Sequence, residues 1–375
     1  GKRDEKLILP VNSSLSVTLD QDQLRAKTTV ALSSSFSADQ MWLNGVEQPM
    51  NSERLQNVLK EIRQQRRKQK ADNETHSNIY DYHVHICSEN NFPTAAGLAS
   101  SAAGFACLVF SLSQLYGIEG DISRIARQGS GSACRSVCGG FVAWDMGTLT
   151  DGSDSMAREI ASHTHWPELR VLILVVSGKK KHTGSSEGMQ NSVKTSELLP
   201  YRAKHIIPKR MEMITTAILD KDFKTFAEET IKESNQMHAV CLDTYPPICY
   251  QTDTSHDIMR IIHAINKYYG EMKVCYTFDA GPNACLYLPE SNVAMALSVI
   301  RHFFPPLDNE DGFLHGIPVE IEKPEENLIN SIPAEVSPGA VKYVISTKVG
   351  QGPQVLDKSE SLLDNEGLPK QDTHK

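Results

Sequence analysis

The chain has 375 residues, 40% of them hydrophobic and 22% charged, with a formal net charge of −8. That length suggests about two domains, and the acidic balance excludes a general, charge-driven attraction to nucleic acid. No run reaches the roughly 18 apolar residues of a membrane span, and the eight cysteines form no Cys-x-x-Cys pair, so a reduced, cytoplasmic protein without a membrane or nucleic-acid partner is expected.

In chain order, residues 6–20 (KLILPVNSSLSVTLD) read as two extended pieces around a Pro/Asn break, and RAKTTVALSSSF reads as a further strand. MWLNGVEQPM reads as a hairpin turning at Asn44-Gly45, a dipeptide that tolerates the two left-handed positions of a tight turn. Residues 52–70 read as a helix with Ser52 as N-cap. Its end carries six basic residues between Lys60 and Lys70, read as a solvated face in preference to a nucleic-acid patch. YDYHVHICS alternates like a strand. A helix to about Tyr116 and a second over 121–128 come next, then GGFVAWDMG, a strand entered through glycines, and LRVLILVVS, a buried strand. Helical segments are expected at 197–217, 223–237 and 254–269, and KVCYTFDAGPNACLYL reads as strand, turn, strand. The tail from Gly352 is polar and is expected to fray. The mixed order of elements gives an α+β class.

Four stretches carry candidate chemistry. In NNFPTAAGLASSAAGFA (residues 90–106), a strand leads through Pro93, Gly97 and two serines into an Ala-rich helix. Free N–H groups at a helix start suit an anion such as phosphate, and Ser100 and Ser101 add hydroxyls or a magnesium ligand. A tight turn packed with small residues explains the same composition, and the Gly-Lys-Ser/Thr ending of a Walker A loop is absent. In GSGSACRS (129–136), Ser130, Ser132 and Arg135 lie on a glycine-broken turn. Arg135 offers a planar fork for carboxylate or phosphate, although a capped loop with a surface Arg fits too. In YTFDAGPNA (276–284), Asp279 closes an apolar strand beside a glycine turn, placed to act on a bound hydroxyl or to serve as a turn residue. KKKHTGSSEGM (179–189) is either a phosphate-binding loop before a helix or a solvated one.

PTAAGLASSAAG resembles the phosphate-loop motif of the GHMP kinase superfamily, Pro-x-x-x-Gly-Leu-x-Ser-Ser-Ala. GKRDEKLILPVNSSLSVTL, GSGSACRS, ESNQMHAVCLDTYPP and YTFDAGPNA together resemble one family within it, the diphosphomevalonate decarboxylases of eukaryotic type, from Gly1 to about Gly352. The resemblance implies a GHMP kinase-like two-domain fold with a deep cleft. On that resemblance, residues 1–185 are expected to form a ribosomal-protein-like N-terminal domain, and 186–375 a ferredoxin-like C-terminal domain carrying the catalytic Asp.

It further implies ATP-dependent decarboxylation of mevalonate 5-diphosphate in isoprenoid and sterol biosynthesis, with ATP and Mg2+ as cofactors and a homodimer as the assembly. Ala95, Ala96, Gly97, Leu98, Ala99, Ser100 and Ser101 match the ATP-binding loop, with Ser101 near the metal. Asp279, Arg135 and Ser132 match catalytic positions, Asp279 as base or as orienter of the C3 hydroxyl. Gly1, Lys2, Arg54, Ser130, Gly131, Ala133, Cys134, Ser185 and Ser186 match positions around the substrate, together with Ser132 and Arg135. Family members carry an Asn-Ile-Ala…Lys-Tyr-Trp segment before GKRD, so a strand upstream of Gly1 is expected. Two other readings stand beside this one: a GHMP-type small-molecule kinase that does not decarboxylate, and a nucleotide-binding protein without turnover.

Overall fold

The computed structural model describes residues 1–70, 82–92, 100–176, 182–307 and 312–370. Strand β1 (Lys2–Asp4) pairs with β2 (Leu9–Pro10). Then come β3 (Ser14–Val17), β4 (Ala26–Ser33), β5 (Gln40–Leu43) and β6 (Val46–Gln48). The β5–β6 turn is the expected one: Asn44 and Gly45 both take positive φ, 49° and 77°. Helix α1 (Glu53–Lys70) buries Leu55, Val58, Leu59 and Ile62, the spacing of one helix face. Strand β7 (His83–Asn90) completes a sheet in the order β4-β7-β5-β6.

Helix α2 (Ser100–Tyr116) lies on β4, with Ala102, Ala106, Val109, Ser113 and Tyr116 buried at helical spacing. Small residues let the backbones approach, and Cys107 Sγ and Ser111 Oγ donate to the carbonyls of Ala26 and Thr28, each at 3.3 Å. Helices α3 (Ser123–Gly129) and α4 (Ala133–Ser136) lead to β8 (Phe141–Trp144) and β9 (Ala157–Ala161), which join β3 in a second small sheet, β3-β8-β9. Gly140 opens β8 with φ 71°, and a side chain there would strike the Ala161 carbonyl.

The remaining strands build one sheet. It contains β10 (Leu169–Val175), β11 (Cys275–Phe278), β12 (Ala284–Pro289), β13 (Leu314–Gly316) and β14 (Tyr343–Lys348), in the order β11-β12-β10-β14-β13. Strand β10 is in the middle. Leu172 and Leu174 face the main core while Val171, Ile173 and Val175 face a second cluster, which explains its unbroken apolar run. Around it pack α5 (Ser185–Thr195), α6 (Leu198–Tyr201), α7 (Ile207–Asp220), α8 (Phe223–Asp243), α9 (Asp253–Tyr269), α10 (Val293–Phe303) and α11 (Glu326–Ser331). Helix α9 starts in a capping box between Thr252 and Ser255, ends at Gly270 (φ 68°), and buries Ile258, Ile261, Ile262 and Ile265. No helix among the described residues is long and apolar enough to cross a membrane.

Several expectations need correction. The stretch 197–217 is not one helix. It is α6, a wide π-type turn over Arg202–Ile206, and α7; Pro208 at the start of α7 cannot donate the backbone bond a continuous helix requires. The last part of GSGSACRS is helical, not a plain turn. Strand β10, at 169–175, is hydrogen-bonded between β12 and β14 of the later sheet. The basic end of α1 is partly engaged, with Arg63 paired to Asp39 at 3.1 Å and Arg66 bonded to the Gly117 carbonyl at 3.2 Å.

The largest correction concerns the tail. Residues 353–370 do not fray over their described length; they return across the first region. The Leu362 N–H donates to Thr29 Oγ1 at 2.9 Å, and Lys27 pairs with Glu360 at 2.7 Å. His85 Nδ1 meets the Gly367 carbonyl at 2.8 Å, and Leu363 is buried against Trp42 and Cys87. The compact turn at Gly367 (φ 78°) sits on Phe36, whose ring stacks on His85.

Candidate active site

Arg135 projects from α4 onto β3. Its Nε donates to Ser16 Oγ at 2.9 Å and its Nη1 to Ser14 Oγ at 2.6 Å, while its guanidinium lies 5.8 Å from the Trp144 ring centre. Ser14 and Ser16 share a face because side chains alternate along a strand. Burial pulls the guanidinium pKa below its ordinary value, opposed by the nearby Cys134 and Asp279. No carboxylate among the described residues pairs with Arg135, so its charge is oriented by neutral hydroxyls and by an aromatic face. A half-buried cation without a counter-ion is costly to desolvate, and such a group suits an anionic ligand.

Asp279 follows β11 and is exposed. Its carbonyl accepts from the Gly281 N–H at 2.7 Å, and the far side of the turn is tied by Ser255 Oγ to the Pro282 carbonyl at 3.0 Å and by Asn283 Oδ1 to the Val176 N–H at 2.8 Å. Ser132, Arg135 and Asp279 share the wall of one cavity of about 1330 Å³, which also runs along β4, α2 and the returning tail.

The other expected residues fall into distinct settings. Ala133 and Cys134 are fully buried, so their side chains face the core. Burial pushes the Cys134 thiol up to about 12, leaving it a neutral, packed group. Ser130 is buried at the end of α3. Gly131 is small because a Cβ would press on Trp144 and Ile8.

Gly1, Lys2, Arg54, Ser185 and Ser186 gather separately, around α5. Arg54 donates to Ser186 Oγ at 3.1 Å, β1 lies against α5, and Gly1 packs on Val193. Lys2 is largely buried, 3.4 Å from Glu5. Between this group and the Asp279 turn stands a small cluster of Cys241, Ile248, Tyr250 and Ala280. Burial, then the charges of Cys241, Asp279 and Glu187, push the Tyr250 hydroxyl up to about 12, and that hydroxyl lies against Gly188 of α5.

Of the expected ATP loop, Ala95, Ala96, Gly97, Leu98 and Ala99 lie outside the described residues. Ser100 and Ser101 open α2, whose first turn carries no acidic side chain, so the helix start suits an anion. No group of three or more His, Cys, Asp or Glu able to hold a metal occurs among the described residues. Ser101 stands at the start of α2, beside the expected loop.

Reading the sequence missed Ser14, Ser16, Trp144 and Tyr250. The first two were open to detection, since two serines at alternate positions of a strand present two hydroxyls on one face.

Comparison with known proteins covers both halves of the chain. Residues 1–157 match the diphosphomevalonate decarboxylase-like N-terminal domain, and residues 171–356 match the mevalonate 5-diphosphate decarboxylase C-terminal domain. The diphosphomevalonate decarboxylase of Rattus norvegicus is 55% identical, over 99% of this chain and 94% of its own. The solved mevalonate diphosphate decarboxylase from Trypanosoma brucei superposes with a TM-score of 0.89 at 35% identity, covering 97% of this chain and 96% of that one. A further solved chain, MDDEF in complex with MVAPP, AMPPCP and magnesium, gives a TM-score of 0.70 at 32% identity over 81% of this chain and 89% of its own. Sequence and fold agree along both halves, and the chain belongs to the diphosphomevalonate decarboxylase family.

Proposed function

We propose that this chain catalyses the ATP-dependent decarboxylation of (R)-mevalonate 5-diphosphate to isopentenyl diphosphate, releasing ADP, phosphate and carbon dioxide, in isoprenoid and sterol biosynthesis. The observation that carries the reading is the pairing, on one cavity wall, of a carboxylate (Asp279) with an Arg that has no carboxylate partner among the described residues (Arg135). The substrate brings a tertiary hydroxyl for the first and a carboxylate for the second.

Arg135 holds the substrate carboxylate in its fork, pre-aimed by Ser14 and Ser16, with Ser132 beside it. Asp279 accepts the hydrogen bond of the C3 hydroxyl and takes its proton as the oxygen attacks the γ-phosphorus of ATP. ADP leaves as the oxygen–phosphorus bond forms, and the C3–O bond then breaks with its electron pair leaving on the phosphate oxygen. The bond to the carboxylate breaks as well, and its electrons become the product double bond while carbon dioxide departs. Lys2, Arg54, Ser185 and Ser186, with Gly1 and the 130–134 backbone, hold the diphosphate. The loop from Ala95 to Ser101 holds the ATP phosphates, with magnesium at Ser101 neutralising the charge that phosphoryl transfer develops. MDDEF, a solved relative, is described with MVAPP, AMPPCP and magnesium, in keeping with this division of ligands.

We place the enzyme in the cytosol as a homodimer. None of its eight cysteines is in a disulfide, in keeping with a reducing compartment. Incubation with MgATP and mevalonate 5-diphosphate tests the reaction. Equal amounts of ADP and carbon dioxide are expected; ADP without carbon dioxide overturns decarboxylation in favour of a plain kinase.

A further inference from the structure

Strand β11 lies at the outer edge of its sheet, with β12 on one side only. Edge strands leave a row of backbone groups to be satisfied by something other than a strand. At Phe278, α8 supplies those partners. Ser234 and His238 stand one helical turn apart, on one face of the helix, and both are buried, at 2% and 6% exposure. The Phe278 N–H donates to Ser234 Oγ at 2.9 Å. His238 Nε2 lies 3.3 Å from the Phe278 carbonyl, and since a carbonyl can only accept, Nε2 carries the proton and donates. Both polar groups of one backbone unit are thus gripped by two side chains of a single helix. That unit is the one immediately before Asp279.

The same helix face continues the grip one step back along the strand. The Tyr276 hydroxyl donates to Asn235 Oδ1 at 3.1 Å and lies 3.2 Å from His263 Nε2 of α9. Beyond Asp279 the turn is held from α9 by Ser255 and, just before β12, by Asn283. The Asp279 side chain itself is exposed, so its direction is set by the backbone on which it stands.

We infer that Ser234 and His238 are positioning residues for Asp279: they clamp the Phe278 peptide and so set the line along which the carboxylate enters the cavity. This rests on the reading of Asp279 as the carboxylate that meets the C3 hydroxyl. Neither residue touches substrate. Their effect is on kcat, because a small misplacement of a reacting group costs rate far more than binding.

The test is steady-state kinetics of the full chain with MgATP and mevalonate 5-diphosphate, with active protein counted by folded fraction. His238→Leu removes the donor and keeps the bulk; kcat is expected to fall on the order of a hundredfold, with both KM values little changed. His238→Gln restores an N–H near the Nε2 position and is expected to recover most of that loss. Ser234→Ala, a small change that preserves the fold, is expected to lower kcat several-fold. Introduced into Asp279→Asn, His238→Leu should cost nothing more, since no carboxylate remains to be aimed. A parental kcat per folded molecule in both His238→Leu and Ser234→Ala, with Asp279→Asn inactive, overturns the clamp. An active Asp279→Asn overturns instead the role of Asp279 on which the clamp depends.

Discussion

The two charged groups of the site stand on unlike ground. Asp279 ends a strand of a five-stranded sheet whose middle strand is apolar on both faces, and the helices of the second region pack one continuous core against it. Arg135 sits on a helix of four residues, between two short sheets that do not join, and it is steered by two serine hydroxyls and a ring. The difference follows the tasks proposed for them. A group that must meet one hydroxyl along one line needs a backbone that does not move. A group that grips a carboxylate through a planar fork needs charge and orientation, and short elements with hydroxyl partners supply both.

The comparison can be broken most directly at Asp279. Asp279→Asn keeps the shape and removes the charge; kcat is expected to fall about 10³-fold with substrate binding retained, as read by kcat and by direct titration of mevalonate 5-diphosphate. Survival of activity within a few-fold would show the rigid turn to be scaffolding only. Arg135→Lys comes next. An ammonium cannot fill the fork that Ser14 and Ser16 orient, so kcat/KM for mevalonate 5-diphosphate should fall about 10²-fold, and a normal value would make Arg135 structural.

The two grounds can also be compared by stability in urea. Leu172→Ala opens a cavity in the middle strand of the second sheet, where neighbours on both sides prevent collapse, and is expected to cost about 4 kcal/mol. Leu363→Ala, in the small cluster under the returning tail, is expected to cost about 2 kcal/mol. Equal costs would show the tail to be as firmly seated as the core. The smallest effect is chemical. Burial raises the Cys134, Cys138, Cys241, Cys275 and Cys285 thiols, whereas Cys249 is exposed. A brief iodoacetamide pulse on the folded chain should therefore label Cys249 first with little loss of activity, as read by peptide mass mapping.

Local signals in the chain were legible because they are self-contained. The Asn44-Gly45 turn, the apolar run of β10 and the Asp279 turn each need only their own residues to be read. The α6–α7 break was also readable, since Pro208 marks it, and it was missed by reading helical periodicity across a proline. What stayed hidden depends on distant partners. Ser14 and Ser16 matter because a fold brings Arg135 to them from 121 and 119 residues away. Leu362 and Leu363 lie in a stretch, KSESLLDNEG, whose polarity reads as solvated. Their docking is decided by Thr29, Trp42 and Cys87, which no local pattern in the tail could reveal.

The returning tail also fixes an order of events during synthesis. A ribosome makes Lys27, Thr29 and His85 early and their partners Glu360, Leu362 and Gly367 near the end of the described chain. At about 5–20 residues per second, a nascent chain waits tens of seconds with that face of its first sheet uncovered. A sheet translated well before the second region is thus among the last parts to be finished, and protection of that exposed face before residue 370 emerges falls to whatever meets the chain as it leaves the ribosome.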